Sequence, residues 1–385
     1  MQDRSLLRET SVASWVFQAA VIAGLAGLAI YLGMTTWERM HSQGIVYGFD
    51  ILFRPTGWQI SSPFLNQTSD DPYWWTMVVA FVNTLGASLV GIVLASLLGF
   101  WIGFGLLAGN RVISRTCAVY VQIFRNVPLV LQALFWYAIL NNLPAPRDQS
   151  LAFLKAIFVT NQGVFVPSVS VGALSGWGAP AAAVAVLALI FLPFHPMARR
   201  GRVWWKPAAV GIVLAGSIIA GYSIVFGAPV VLGMPELAGF GYVGGIDIPL
   251  ELIALVLATV VFSAAYIAEI VRGGLQSVPL GLVEAAQALG LPGRVVLLKV
   301  RFPVALRSMV PALSNIFLFV VKATAIGSAI GYSEVYSASV VSISQTGQSV
   351  EFLLIMMLVY FILNYSITLL MNWLNRAIAF KGKSK

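Results

Sequence analysis

The stretch 277-SVPLGLVEAAQALGLPGRVVLLKVRFP-303 decides how the rest of the chain is read, because it is the one long polar-flecked segment among bilayer-length apolar runs. Pro279 suits the first turn of a helix, and Gly281 to Leu289 is a helix-compatible run rich in Leu and Ala. Gly290 supplies a left-handed stop, and Pro292 forbids continuation. The spacing predicts one helix of about two to three turns. Such a helix is too short to hold itself together in water unless it docks onto something.

Within this stretch, Glu284-Ala285-Ala286, three residues, Gly290, nine residues and Val300-x-Phe302-Pro303 form a spaced pattern. It resembles the EAA loop of ABC-transporter permeases, E-A-A-x3-G-x9-I-x-L-P, with Val in place of Ile and Phe in place of Leu. The plainer alternative is an amphipathic cytosolic helix with no such role. The resemblance implies a helix that an ATPase on another polypeptide pushes against, with Glu284, Ala285, Ala286, Gly290 and Pro303 as coupling residues.

Composition places the stretch in a membrane protein. Hydrophobic residues make up 59% of the 385 and charged residues only 10%, against about a quarter charged in soluble domains. The single cysteine, Cys117, excludes an intramolecular disulfide and a Cys-based metal cluster. The two histidines, His41 and His195, stand far apart and in no H-E-x-x-H arrangement, so no metal site is expected. A Walker A loop requires G-x-x-x-x-G-K-[ST]. The Gly-Lys-Ser at 382–384 has Ala377 where the first glycine would stand, so no cofactor is expected on this chain and ATP is left to a partner subunit.

Apolar spans fall near 12–33, 76–108, 126–142, 179–194, 207–227, 249–271, 309–331 and 350–373. Most approach the roughly 20 residues that a spanning helix needs. The expected fold class is all-α, a polytopic membrane bundle of about eight transmembrane helices. With an N-terminus inside, all but five of the 23 basic residues (Arg39, Arg54, Arg147, Lys155 and Lys322) fall on one side. By the positive-inside rule both termini and the 277–303 loop are cytoplasmic, in a multi-pass protein of the bacterial inner membrane. The net charge of +9 is then explained by the anionic leaflet lipid, without nucleic acid.

Inside the spans, Ala87, Gly91, Ala95, Gly99 and Gly103 recur every fourth position as a packing ridge. Asn83 and Thr84 read as bonding to a neighbouring helix or as lining a path, with structural bonding the plainer of the two. Glu269 and Arg272, three apart beside Tyr266, form an ion pair that is either a latch or part of a gate. Lys322 lies in an apolar span with Asn315 and Thr324, and a buried Lys needs a counter-group: Glu269 on another helix, or a passing substrate carboxylate.

Arg125-Asn126-Val127-Pro128-Leu129, followed by Gln132, resembles the R-x-x-P-L-x-x-Q segment of polar amino-acid ABC permeases. The plain reading of Arg125 is an interface anchor at a helix end. Similar permeases carry K-D-T-S where this chain has Lys322-Ala323-Thr324-Ala325, which breaks the residue-level match. The organisation expected is 1–75, an N-terminal helix and external segment; 76–142, the first part of the core; 143–248, an inserted external segment with two extra helices; 249–375, the second part; and 376–385, a basic tail. The insertion resembles the larger permeases of general L-amino-acid uptake.

By resemblance, the fold is of the type I ABC importer kind and the chain is a permease subunit, not an enzyme. Its implied partners are a dimeric ABC ATPase, a second homologous permease and a periplasmic amino-acid-binding protein. Tyr266, Glu269, Arg272, Asn315, Lys322 and Thr324 are candidates for the substrate path or gate. The alternative is a secondary transporter driven by an ion gradient, which would work without any ATPase.

Overall fold

The computed structural model describes residues 12–42, 48–146, 151–153, 156–171 and 230–378. The expected spans 179–194 and 207–227, the basic loop His195 to Lys206, and residues 379–385 of the tail lie outside the described residues.

Helix α1 (Val12–Ser42) contains an apolar stretch, Trp15–Thr36, long enough to cross a membrane. The segment after it folds back over the bundle through a 3₁₀ turn, Phe49–Phe53. Gln67 organises it: Oε1 accepts from the Ile60 N–H at 2.8 Å, and Nε2 donates to the Trp58 carbonyl at 3.1 Å. Ile60 joins Tyr73, Met77, Val335 and Phe352 in one apolar cluster at this end of the molecule.

Helix α2 (Tyr73–Leu106) carries no charge over 34 residues. At 1.5 Å per residue it is about 50 Å long, more than the roughly 30 Å hydrocarbon core. The expected span 126–142 is observed as α4 (Leu129–Asn141), and the residues before it form a further helix, α3 (Arg111–Asn126), from which α4 turns by 103°. Pro128 explains the break: Val127 before it is extended (φ −89, ψ 125), and Pro128 itself has no N–H for the α3 ladder.

Short antiparallel strands follow: β1 (Leu151–Phe153), β2 (Ile157–Val159), β3 (Val164–Val166) and β4 (Ser168–Val171), then β5 (Val230–Gly233), β6 (Glu236–Ala238), β7 (Gly241–Val243) and β8 (Ile246–Ile248). They form a four-stranded sheet in the order β1-β2-β3-β8 and two pairs, β4-β5 and β6-β7. The helical fold therefore carries a β-structured segment that the sequence reading did not contain.

Helix α5 (Leu250–Gln276) is the centre of the bundle. Its most extensive partner is α2, and it also contacts α3, α4 and the helix that follows the 277–303 stretch. The small residues of α2 make that seam possible. A Cβ on Gly99 would stand 2.6 Å from Ile267, and one on Gly103 2.6 Å from Val271.

The opening stretch forms α6 (Leu280–Ala288), with Gly290 left-handed at φ +74. Helix resumes at Gly293, sooner than a loop reaching Pro303 would suggest, and passes through a π-turn (Val296–Arg301) into α7 (Phe302–Ala323). The wide turn falls directly before Pro303, whose ring and missing N–H oppose a regular ladder there. A 3₁₀ run, Thr324–Ile330, ends at left-handed Gly331; α8 (Val335–Thr346) and α9 (Ser349–Ile378) are the last described helices.

Among the described residues, five helical segments are long and apolar enough to span: Trp15–Thr36, Tyr73–Leu106, Leu250–Gln276, Gly293–Ile330 and Ser349–Ile378. The bent α3–α4 pair makes six. The expected eight is reached only with the two runs outside the described residues.

Candidate functional site

Helix α6 sits at the end of the bundle where α5 finishes and the π-turn begins. Its Ala286 is buried, yet Leu280 (75% exposed), Leu282 (47%) and Leu289 (81%) stand out together with Glu284 and Ala285. Gly290 closes the helix: its N–H donates to Gln287 O at 2.8 Å, and that of Leu291 to Ala286 O at 3.3 Å. Pro303 lies away from α6, in the first turn of α7. Arg301 holds the two ends of the loop together by donating from Nη2 to Leu275 O at 3.1 Å.

At the α3–α4 bend each residue of the 125–132 segment has a definite place. Gln132 is buried, and its Nε2 donates to Phe124 O (3.1 Å) and Val127 O (3.0 Å), so carbonyls orphaned by the bend are satisfied from the next helix. Pro128 precedes the first turn of α4. Arg125 lies exposed in the last turn of α3, with its guanidinium 4.9 Å from the centroid of the Tyr266 ring. An open cavity of about 390 Å³ between α3 and α5 is lined by Gln122, Arg125, Asn126, Tyr266 and Glu269, among others.

Glu269 and Arg272 do pair, at 2.7 Å, with both side chains partly exposed. Arg272 also donates to Gln276 Oε1 at 2.8 Å. The expected alternative, in which Glu269 offsets Lys322, does not form. Lys322 is exposed, with no hydrogen bond or ion pair among the described residues, while Glu269 Oε2 is taken by Arg272. Lys322 occupies the last turn of α7, where a cation faces the negative end of the helix.

Ser308, Pro311, Asn315, Phe319 and Lys322 are the exposed positions of α7 from 308 onward, spaced three or four apart on one face. Thr324 does not share that face: it is buried, and its Oγ1 donates to Val321 O at 2.8 Å. Phe319 stacks on Phe262 of α5 (5.6 Å between centroids), and Phe262 packs against Tyr266 (5.0 Å).

Sequence reasoning passed over Glu334, which is fully buried at the N-cap of α8. Its oxygens accept from Tyr336 N (3.0 Å), Ser337 N (2.8 Å) and the Tyr360 hydroxyl (2.8 Å). Beside it, Asn83 donates to Ser333 O (2.7 Å) and Ser61 O (3.0 Å), Tyr332 donates to Asn83 O (3.0 Å), and Val335 N donates to Thr84 (3.2 Å). This network pins the break after Gly331 to α2 and α9, and it gives Asn83 and Thr84 the structural bonding expected of them. The available signal was an acidic residue before a short helical run, Ser333-Glu334-Val335.

Five or six apolar spans among the described residues, a small-residue seam and a protruding short helix after α5 define a polytopic membrane protein. Residues 95–380 match the family described as binding-protein-dependent transport system inner membrane component. The chain belongs to that family.

Full-length relatives agree. It is 37% identical to YhdX of Escherichia coli (strain K12), a candidate amino-acid ABC transporter permease, over 96% of this chain and 95% of the relative. It is 31% identical to the general L-amino acid transport system permease AapQ of Rhizobium johnstonii, over 98% and 94%. Identity is also 31% with BztB of Rhodobacter capsulatus, a glutamate/glutamine/aspartate/asparagine transport system permease, over 98% and 96%. The family assignment favours a binding-protein-dependent permease over the ion-gradient-driven secondary transporter.

Proposed function

We propose that this chain is the membrane-spanning permease subunit of an ABC importer for L-amino acids, coupling ATP hydrolysis on a separate subunit to substrate passage. The observation that carries it is α6, a nine-residue helix whose leucines are exposed at the end of an otherwise lipid-directed bundle. Exposed apolar side chains on a protruding helix call for a protein partner, and the 284–303 pattern supports an ATPase in that place. Glu284, Ala285, Ala286 and Gly290 form the contact, and Pro303 sets the turn behind it. The permease works with a homodimeric ATPase, a second homologous permease and a periplasmic binding protein. ATP is bound by the ATPase, and this chain needs no cofactor of its own.

The basic residues put both termini and α6 in the cytoplasm. The exposed face of α7, with Asn315 and Lys322, and the α5 group Tyr266, Glu269 and Arg272 border the substrate path, which the second permease closes. The organisation proposed from the sequence is 1–75, 76–142, 143–248, 249–375 and 376–385. Two experiments test this. Glu284→Lys or Gly290→Pro is expected to leave the permease inserted while releasing the ATPase. A variant complex that stays intact and still shows substrate-stimulated ATP hydrolysis defeats the coupling role. With Cys117 replaced, a cysteine at Gln149 should react with an impermeant thiol reagent from the periplasm and one at Gly201 should not; reversed labelling overturns the orientation.

A further inference from the structure

The cavity between α3 and α5 brings opposite charges to one lining without letting them neutralise each other. Arg125 rests on the Tyr266 ring and makes no hydrogen bond or ion pair among the described residues, so its fork of N–H donors is free. Glu269 commits only Oε2, which accepts from Arg272 Nε (2.9 Å) and Nη2 (2.7 Å); Oε1 carries no hydrogen bond. Arg272 thereby holds the Glu269 carboxylate in one orientation. Asn126 and Gln122 add neutral polar groups to the same lining, tied to each other by the Asn126 Nδ2 to Gln122 O bond at 2.7 Å.

A second open cavity, of about 600 Å³, shares Arg125 and Asn126 with the first and continues past Pro128 along Val130, Phe262, Phe319 and Ile326. Its lining is largely apolar, and both volumes fall within the roughly 300–1,000 Å³ usual for small-molecule sites.

We propose that the two cavities form a binding site for a zwitterion with an apolar tail. Arg125 takes the anionic oxygens two at a time, as its planar fork favours. Glu269 Oε1 accepts from a primary ammonium, and the tail lies against Phe262 and Phe319. The proposal rests on the reading of the chain as an amino-acid permease and deepens it. The site reads the carboxylate and ammonium that all L-amino acids share, and the adjoining cavity tolerates the part in which they differ. Tyr266 lies ten residues before the end of α5, about 15 Å along the axis from the turn into α6. The site is therefore close to the docking helix. A phosphoethanolamine lipid headgroup presents the same pair of charges, so the source of the zwitterion is settled by experiment.

The test uses the full-length chain in phosphatidylcholine nanodiscs, with radiolabelled L-leucine as the probe. The competitors are 4-methylpentanoate, which lacks the ammonium, and 3-methylbutylamine, which lacks the carboxylate. L-Leucine is expected to bind, and each competitor to bind at least tenfold more weakly. Arg125→Gln should lose at least tenfold in affinity and Arg125→Lys less. Glu269→Gln should bring 4-methylpentanoate up to the affinity of L-leucine. Melting temperatures of the variants, matched to the parent, separate lost binding from lost fold.

In a second arm, phosphatidylethanolamine replaces phosphatidylcholine. Displacement of L-leucine that depends on Arg125 assigns the site to the headgroup and still supports zwitterion recognition. Equal binding of the three probes, unchanged affinity in Arg125→Gln, or no binding in either lipid overturns the site. Amino-acid uptake by the whole transporter is measured separately. Uptake that persists when the cavity fails leaves the permease reading standing, and a cavity that binds in a complex without uptake sinks that reading alone.

Discussion

Gly99→Ala is expected to separate the two central helices, while Gly91→Ala, two turns away on the same ridge, is not. A Cβ at Gly99 would lie 2.6 Å from both Cβ and Cγ2 of Ile267 and 2.9 Å from the Ala264 carbonyl oxygen. Carbon atoms pack at about 3.5–4.0 Å, so the seam must open by close to 1 Å, and neither a backbone oxygen nor a Cβ can turn aside. At Gly91 the same atom would meet Val320 Cγ1 at 3.4 Å and Thr259 Cγ2 at 3.6 Å, which is ordinary contact. Alanine gains up to about 1 kcal/mol over glycine within a helix, so Gly91→Ala should be neutral or mildly stabilising. Overpacking costs about 1–3 kcal/mol, and Gly99→Ala should lie below Gly91→Ala by roughly that much. The assay is denaturant unfolding of the full-length protein in one detergent, followed by tryptophan fluorescence, with Gly103→Ala as a second close-contact site. Equal midpoints for Gly99→Ala and Gly91→Ala would refute the packed α2–α5 seam.

Gln132→Leu removes two donors from carbonyls at the α3–α4 bend and should cost about 1–3 kcal/mol, read in the same unfolding assay; no change in midpoint would show that the bend is held by Pro128 alone. Lys322→Met should leave the thermal stability of the isolated chain unchanged, because no described residue pairs with Lys322, yet lower amino-acid uptake by the complex; a drop in the isolated chain's melting temperature refutes this. Asp247 reaches the surface but is partly desolvated, and this and, secondly, the Glu251 charge raise its carboxyl above its ordinary value. Folding therefore favours its protonated form, and stability contributed below the unfolded carboxylate range is lost as pH rises through the folded value. Asp247→Asn should accordingly raise the melting temperature at pH 7 relative to the parent, and at low pH the two should converge; a larger gap at low pH contradicts the assignment.

What could be read from the chain alone was whatever depends on neighbours in sequence. Gly290 was legible because a left-handed helix stop is a backbone requirement, met at φ +74. The Glu269–Arg272 pair was legible because residues three apart share a helix face. The small-residue ridge of α2 announced a close seam, although not that α5 would fill it. The failures begin where two distant segments must meet. A partner for Lys322 was sought in Glu269, 53 positions away, and nothing in an apolar pattern tells which way either helix is turned. Glu334 and Tyr360 lie 26 positions apart and bond only because the chain reverses between α8 and α9. The three- and four-residue strands before α5 are too short to show an alternating pattern.

The α3–α4 bend lies between these cases, and it explains why the candidate site was only half visible. Pro128 marked a break, but its consequence is a 103° turn that leaves Arg125 in the last turn of α3, over Tyr266 of α5. An arginine at a membrane boundary is ordinarily a snorkelling anchor. Here the turn places it on the lining of a cavity that also holds Glu269. The residue type is given by the sequence. Its role depended on an angle set jointly by Pro128, which removes a donor, and Gln132, which returns two.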